Sequence, residues 1–344
     1  MNDIRELLPQ AEVAVPNFSH SALASVVKCP RAFLFRDVCR LTNWKIAEPL
    51  LRGQFAHLAL ATLFKGGDWA AAEQVVDSAA HTLSQWVEES AVAWADELYD
   101  KITHCKAVAL VAVDHLWSSK TINPAFYDIL GVEEMFLDGV APLVWKGVID
   151  LRVRDKRTGH VFLLDWKFTS REPKMYARGV TFGWQASFYE RLTAATEHPP
   201  VGLLYVIVQT PTIKWKSTQQ WGDYLAECRD WYAGRDGSCE GCKWTHSKRA
   251  GTPSVELVPK LFEKSPERDL LFGKGVEYFS TYATALPVLE NFPPLGELGG
   301  NCGRCEFNVL CASDPSEWAT IKGIIPRDSV PQVGDPEDHQ IAED

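Results

Sequence analysis

Two short segments constrain this chain more than anything else in it: GVIDLRV (147–153) and FLLDWKF (162–168), joined across the turn-forming run DKRTG (155–159). Apolar, β-branched runs on either side of such a turn read as an antiparallel hairpin. With the turn centred between Arg157 and Thr158, Asp150 falls opposite Asp165 on one face of the sheet. Lys167, two residues further on, emerges on that same face. Directly opposed side chains sit about 4.5–5.5 Å apart at Cβ, and like charges so placed destabilise a sheet. A divalent cation between them reverses the sign of that interaction. Two carboxylates hold Mg²⁺ or Mn²⁺ through oxygen and leave positions for water and a phosphate oxygen. The lysine ammonium can orient the attacking water or offset charge developing on the phosphate. Taken alone, the same residues also read as two strand-end carboxylates, each paired with a neighbouring Arg or Lys.

The pattern around the hairpin sets the fold class. Residues 19–35 (SHSALASVVKCPRAFLF) open at a serine cap and run as a helix toward Cys29, where Pro30 interrupts it. Leu51, Phe55, Leu58, Ala59 and Leu63 recur at helical spacing over 50–65, and helical periodicity continues from Asp68 to Ser118. Strands are predicted at 132–138, 143–154 and 160–168, a helix at 183–194, and a buried strand at 201–208. This order predicts an α/β protein with a mixed central sheet flanked by helices. Residues 209–260 are polar and poorly periodic, and 266–290 return to helix. The chain divides into an N-terminal helical segment (1–65), a helical insertion (66–130), the α/β core (131–210), a polar insertion (211–265), a C-terminal helix with a cysteine patch (266–325) and a disordered acidic tail (326–344).

The hairpin and its flanks resemble the PD-(D/E)XK nuclease superfamily, and within it the RecB-like branch; the central sheet is then expected to be restriction-endonuclease-like. In that branch a G-x-x-x-H motif on the helix before the sheet supplies a further metal ligand, and Gly53–His57 (GQFAH) matches it. A neutral imidazole suits Mn²⁺ as well as harder ions. A Gln-x-x-x-Tyr motif on the helix after the lysine strand is matched by Gln185 and Tyr189, which share a helix face at i and i+4 and are expected to contact the substrate. Glu134, in VEEMF (132–136), matches a glutamate that relatives carry on the first core strand, with Glu133 competing for the role. The resemblance thus implies a catalytic set of Asp150, Asp165, Lys167, His57, Gln185, Tyr189 and Glu134, with His57, Asp150 and Asp165 as metal ligands.

Cys302, Cys305 and Cys311 form C-x2-C-x5-C among glycines, a spacing that suits either a [4Fe–4S] cluster or zinc. Three thiolates need a fourth ligand. The segment around Cys29 resembles the N-terminus of iron–sulfur RecB-like nucleases, the AddB-type and CRISPR-adaptation exonuclease families, in which one N-terminal cysteine joins three C-terminal ones. The resemblance therefore implies a [4Fe–4S] cluster on Cys29, Cys302, Cys305 and Cys311. One ligand lying nearly a chain's length from the others makes a clasp, and closing so long a loop constrains the unfolded chain. Cys239 and Cys242 could form a separate zinc site with Cys228 and His246, or a tight turn. Cys39 and Cys105 read as small core residues.

Bulk properties narrow the class. No run is long enough for a membrane span, and an N-terminus bearing Asp3, Arg5 and Glu6 does not suit a secretory signal. The compartment expected is cytoplasmic, where an odd count of nine cysteines points to metal rather than disulfides. A net charge of −10 is unusual for a DNA binder. Part of that charge lies in the tail, and cations cluster at Arg152, Arg154, Lys156 and Arg157 and again at Arg171, Lys174 and Arg178. No G-x-x-x-x-G-K-[ST] occurs, so the unit has no motor of its own. The sequence thus reads as a metal-dependent DNA nuclease, an exonuclease on single strands or DNA ends, with a helicase, recombination or CRISPR protein as partner. The competing readings are a non-catalytic iron–sulfur DNA-binding module that keeps the fold, and a zinc-stabilised interaction protein.

Overall fold

Ser19 opens the N-terminal segment as its position predicts: its Oγ accepts a hydrogen bond from the Ala22 amide at 3.1 Å, satisfying one of the donors a helix start leaves unmet. The computed structural model describes residues 19–22, 25, 29–43, 47–90, 95–140, 143–181, 185–216, 218–235, 254–262, 273–275, 302, 305–313, 324–331 and 333. Cys29 and Pro30 restart the chain as α1 (Pro30–Phe33), which passes into a π-turn over Leu34–Val38 and then into the short strand β1 (Leu41–Asn43).

Three long helices follow: α2 (Glu48–Phe64), α3 (Trp69–Glu89) and α4 (Ala95–Ser118). Pro49 in the first turn starts α2 without a wasted donor, and the Asp68 side chain caps α3 by accepting from Ala71 N at 2.8 Å. The strands are β2 (Tyr127–Val140), β3 (Leu143–Asp155) and β4 (Val161–Thr169). Then come α5 (Pro173–Thr181), α6 (Gln185–Thr193), β5 (Gly202–Gln209), α7 (Trp221–Arg235) and β6 (Val255–Leu261). The chain closes on α8 (Asn308–Ala312) and β7 (Ile324–Pro326).

The five-stranded central sheet has the order β2-β3-β4-β5-β6. Only β4 and β5 run parallel, through the crossover that α5 and α6 supply; the other neighbours are antiparallel. This is the mixed α/β fold predicted. Residues 209–260 hold more structure than their polarity suggested, since α7 and β6 lie there. Pro259 masks β6 in the sequence, and it is tolerated because β6 is an edge strand. Among the described residues no helix is long and apolar enough to cross a membrane.

The sheet separates two cores. One lies beneath α2, α3, α4 and α7, with Phe55, Leu151, Leu164, Trp166 and Val206 at its centre. The other lies beneath α6 and joins Phe33, Phe35, Ile149, Leu163 and Tyr205 to Phe307 and Leu310 near the C-terminus. Each fully buried side chain of this size contributes about 1.5–3 kcal/mol. Cys39 and Cys105 are buried as small core residues, and burial pushes both thiols up to about 12. Cys228 is also buried, in the first core beside Tyr224; Cys239, Cys242 and His246 lie outside the described residues. Within the acidic tail, Arg327–Ser329 form a turn and Val333 packs into the first core.

One irregularity positions everything that follows. On β3, Ile149 belongs to the second core but Leu151 and Val153 to the first, so the alternation of sides breaks at Asp150. On β2, Val132 packs on the first core and Phe136 on the second, so the break recurs beside Glu133. Glu133 has φ +52°, in the left-handed region. The β2–β3 register runs Val132↔Leu151 and then Glu134↔Ile149, which brackets Glu133 and Asp150 between them.

Candidate metal-dependent active site

The β3–β4 ladder pairs Arg154↔Val161 through Leu151↔Leu164 and stops there. Continued by one step, this register sets Asp150 opposite Asp165, as the sequence predicts. In place of the next ladder bond, Asp150 Oδ2 accepts from the Trp166 amide at 2.7 Å. The carboxylate is thereby fixed, and its other oxygen is turned toward α2.

From α2, His57 reaches that oxygen. Its Nε2 lies 3.2 Å from the Trp166 carbonyl oxygen, which can only accept. Nε2 therefore carries hydrogen, and Nδ1 faces the acids: 3.4 Å from Asp150 Oδ1 and 3.8 Å from Glu133 Oε1. Among the described residues this trio is alone in bringing three ligand atoms within 4.8 Å of one another. A histidine that gives one N–H to a backbone carbonyl and aims the other nitrogen at carboxylates is oriented as metal-bound histidines are. Burial disfavours a charged imidazole here, but the carboxylates of Asp150 and Glu133 outweigh it and raise His57 well above its usual value. Burial also raises Glu133, while His57, Lys167 and the Trp166 amide overcome burial at Asp150 and lower it. Packed acids in this balance favour a cation among them.

Asp165 stands beside the trio but outside it. Lys167 Nζ lies 2.6 Å from Asp165 Oδ2, and Gln185 Nε2 donates to Asp165 Oδ1 at 2.7 Å. Burial holds the Asp165 carboxyl above its ordinary range despite the lysine. The same Gln185 amide donates to Tyr189 Oη at 3.0 Å, and Tyr189 is buried. Of the pair read as substrate contacts, half-exposed Gln185 thus bonds Asp165 and buried Tyr189 backs Gln185.

The other correction concerns β2. Arg152 engages Glu134 through two bonds, at 2.8 and 3.0 Å, and packs against Phe136 on the sheet's opposite side. Gly131 leaves open the space into which the Glu134 carboxyl group folds. Glu133 takes the place beside His57 because its left-handed backbone turns it to the α2 side. The sequence held one clue, a glycine three residues before the second of two adjacent glutamates.

The cysteine segments also meet. Cys305 N donates to Cys302 O at 3.1 Å in a tight turn, and α8 brings Cys311 back toward α1. Arg31 Nη1 donates to Cys311 Sγ at 3.7 Å, and Phe35 packs on Phe307 with ring centroids 5.6 Å apart. Burial raises the Cys305 thiol, and the neighbouring Cys29 and Cys311 add to it. Cys29 thus lies with the C-terminal cysteines, although no three of the four thiols are drawn within 4.8 Å.

Comparison with known families matches residues 17–312 to the PD-(D/E)XK nuclease superfamily. The chain belongs to that superfamily. Comparison with curated proteins gave no significant match.

Proposed function

We propose that the chain is a RecB-like nuclease that hydrolyses DNA phosphodiester bonds, working from the ends of single strands or resected duplex. The observation that carries this reading is the convergence of His57, Glu133 and Asp150 beside the Asp165–Lys167 pair. A Mg²⁺ or Mn²⁺ ion held by the trio, with Asp165 as a further oxygen ligand, would supply a Lewis acid and a water of lowered pKa. His57 keeps its Nδ1 lone pair directed at the ion by donating from Nε2 to Trp166. Lys167 stays protonated, because Asp165 and Asp150 outweigh its burial, and places a positive charge where the phosphate gathers negative charge. Gln185 and Tyr189 hold Asp165 in register with that charge.

The second part of the proposal is a structural [4Fe–4S] cluster on Cys29, Cys302, Cys305 and Cys311. The C-x2-C-x5-C spacing of the last three, with Cys29 brought to them by α1, supports this reading. Recombination, repair, phage DNA processing and CRISPR adaptation are settings in which such a unit would work beside a helicase or integration partner.

The test is hydrolysis of single- and double-stranded DNA with Mg²⁺ or Mn²⁺ by anaerobically purified protein, beside Asp165→Ala and Lys167→Ala. Loss of 100-fold or more is expected in both variants. Equal activity in all three proteins, or none in any with the metal centres loaded, overturns the catalytic reading and leaves a DNA-binding module.

A further inference from the structure

The nuclease reading leaves a run of cations unused. Arg171, Lys174 and Arg178 follow Lys167 by four, seven and eleven residues, and all three side chains are exposed. Arg171 precedes α5, while Lys174 and Arg178, at i and i+4, share one of its faces. Met175, 58% exposed, lies beside them. The opposite face is anchored: Pro173 is buried, and Tyr176 and Ala177 pack on the second core. The helix lies across β5 and β6, with Tyr176 close enough to Lys167 for its phenol to act on the ammonium. The helix that carries the cations is thus anchored beside the active site through its other face.

None of the three has an ion pair with any described residue, whereas Arg36, Lys106, Arg152, Lys156 and Arg191 all do. Glu172, the acidic residue next to them in sequence, is half-buried at the helix start. On a chain of net charge −10, three exposed cations thus have no ion-pair partner among the described residues. A mixed, paired surface would be the ordinary arrangement.

We propose that Arg171, Lys174 and Arg178 form a track for the sugar–phosphate backbone of a single nucleic-acid strand leading to or from Lys167, with Met175 offering an apolar contact for a base. This rests on the nuclease reading and names how its substrate is held. The track is on the order of 10 Å long at 1.5 Å per residue, so it meets about two or three phosphates. Its contribution is electrostatic and independent of base sequence.

The experiment measures binding of a phosphorothioate oligothymidine to the full chain, with Ca²⁺ as the only divalent ion, across 50–200 mM KCl. Each neutralised phosphate on a single strand contributes about 0.7 to the slope of log affinity against log salt. Replacing the three residues by Gln should reduce that slope by about 2 and lower affinity at 50 mM salt by roughly 20-fold relative to 200 mM. The Lys/Arg swap Arg171→Lys, Lys174→Arg, Arg178→Lys should keep the slope. A control triple in the turn after α4 and the β3–β4 turn, Lys120→Gln, Lys156→Gln and Arg157→Gln, removes the same charge and should change it little. An unchanged slope in the first triple, or an equal change in the control, overturns the track. Binding is read without turnover, so a protein that fails to cleave DNA leaves the track testable. A protein that cleaves DNA with an unchanged slope defeats the track alone.

Discussion

Glu133 offers a clean separation of backbone strain from side-chain chemistry. Its φ of +52° lies where an L-residue carries about 1–2 kcal/mol of steric strain between Cβ and the following carbonyl. Glu133→Ala and Glu133→Gly remove the same carboxylate, and with it the same approach to His57 and Asp150. They differ only in the Cβ. In an ordinary strand Gly is less stable than Ala by roughly 0.5–1 kcal/mol. Relief of 1–2 kcal/mol of strain reverses that order, so Glu133→Gly should be the more stable of the two by about 0.5–1 kcal/mol. Urea denaturation of the metal-free proteins reads this directly as a higher midpoint with an unchanged slope. Both variants should lose Mn²⁺ affinity to the same degree, since neither keeps the ligand. If Glu133→Ala proves as stable as Glu133→Gly, the left-handed turn is not what directs this side chain, and the account of the reversed alternation fails with it.

Mn²⁺ binding should tighten about tenfold per pH unit between pH 6 and 7.5: the raised His57 holds a proton that the ion must displace. Electron paramagnetic resonance titration checks it, and a Kd indifferent to pH refutes it. Burial, helped by the Lys167 charge, lowers His20 to about 4. Its folded value lies below the ordinary one, so stability is full above about pH 6.5 and declines as pH falls, by roughly 3 kcal/mol at pH 4; His20→Gln should flatten that part of the urea-melt profile. Among the described residues the buried Tyr205 hydroxyl has no hydrogen-bond partner, so Tyr205→Phe should raise the thermal midpoint by the equivalent of about 1 kcal/mol; a drop means the hydroxyl is satisfied. Cys29→Ser should abolish visible absorbance and lower stability in protein purified without oxygen, and an unchanged spectrum excludes Cys29 as a ligand.

The hairpin was legible because its information is local: turn chemistry fixes the register, and the register fixes which side chains meet. Asp150, Asp165 and Lys167 follow from counting outward from Arg157 and Thr158. His57 needed more, since its partner is a backbone carbonyl 109 residues away, and only a motif pointed to it. The exchange of Glu134 for Glu133 was not legible by alternation. A period of two assigns adjacent residues to opposite faces but gives no sign that a strand changes face partway along, and Glu carries no propensity for positive φ. Gln185 and Tyr189 share a helix face as expected, yet spacing cannot say whether that face looks at substrate or at Asp165. Strand β6 was hidden by Pro259, whose tolerance depends on an edge position known only once the sheet is assembled.

Strands β1 and β7 form a two-stranded ribbon that ties the two ends of the described chain together. Strand β7 pairs with β1, Leu41↔Pro326 through Asn43↔Ile324, and Phe307 and Leu310 fill the core around Phe33 and Phe35. The first core closes largely with residues already made by the time α7 is complete. The second waits for residues 307–326. A chain that stops short of residue 307 lacks side chains that complete the second core, the core to which Ala186, Phe188 and Leu192 of α6 belong. Loss of that last stretch would therefore bear first on α6, whose Gln185 holds Asp165.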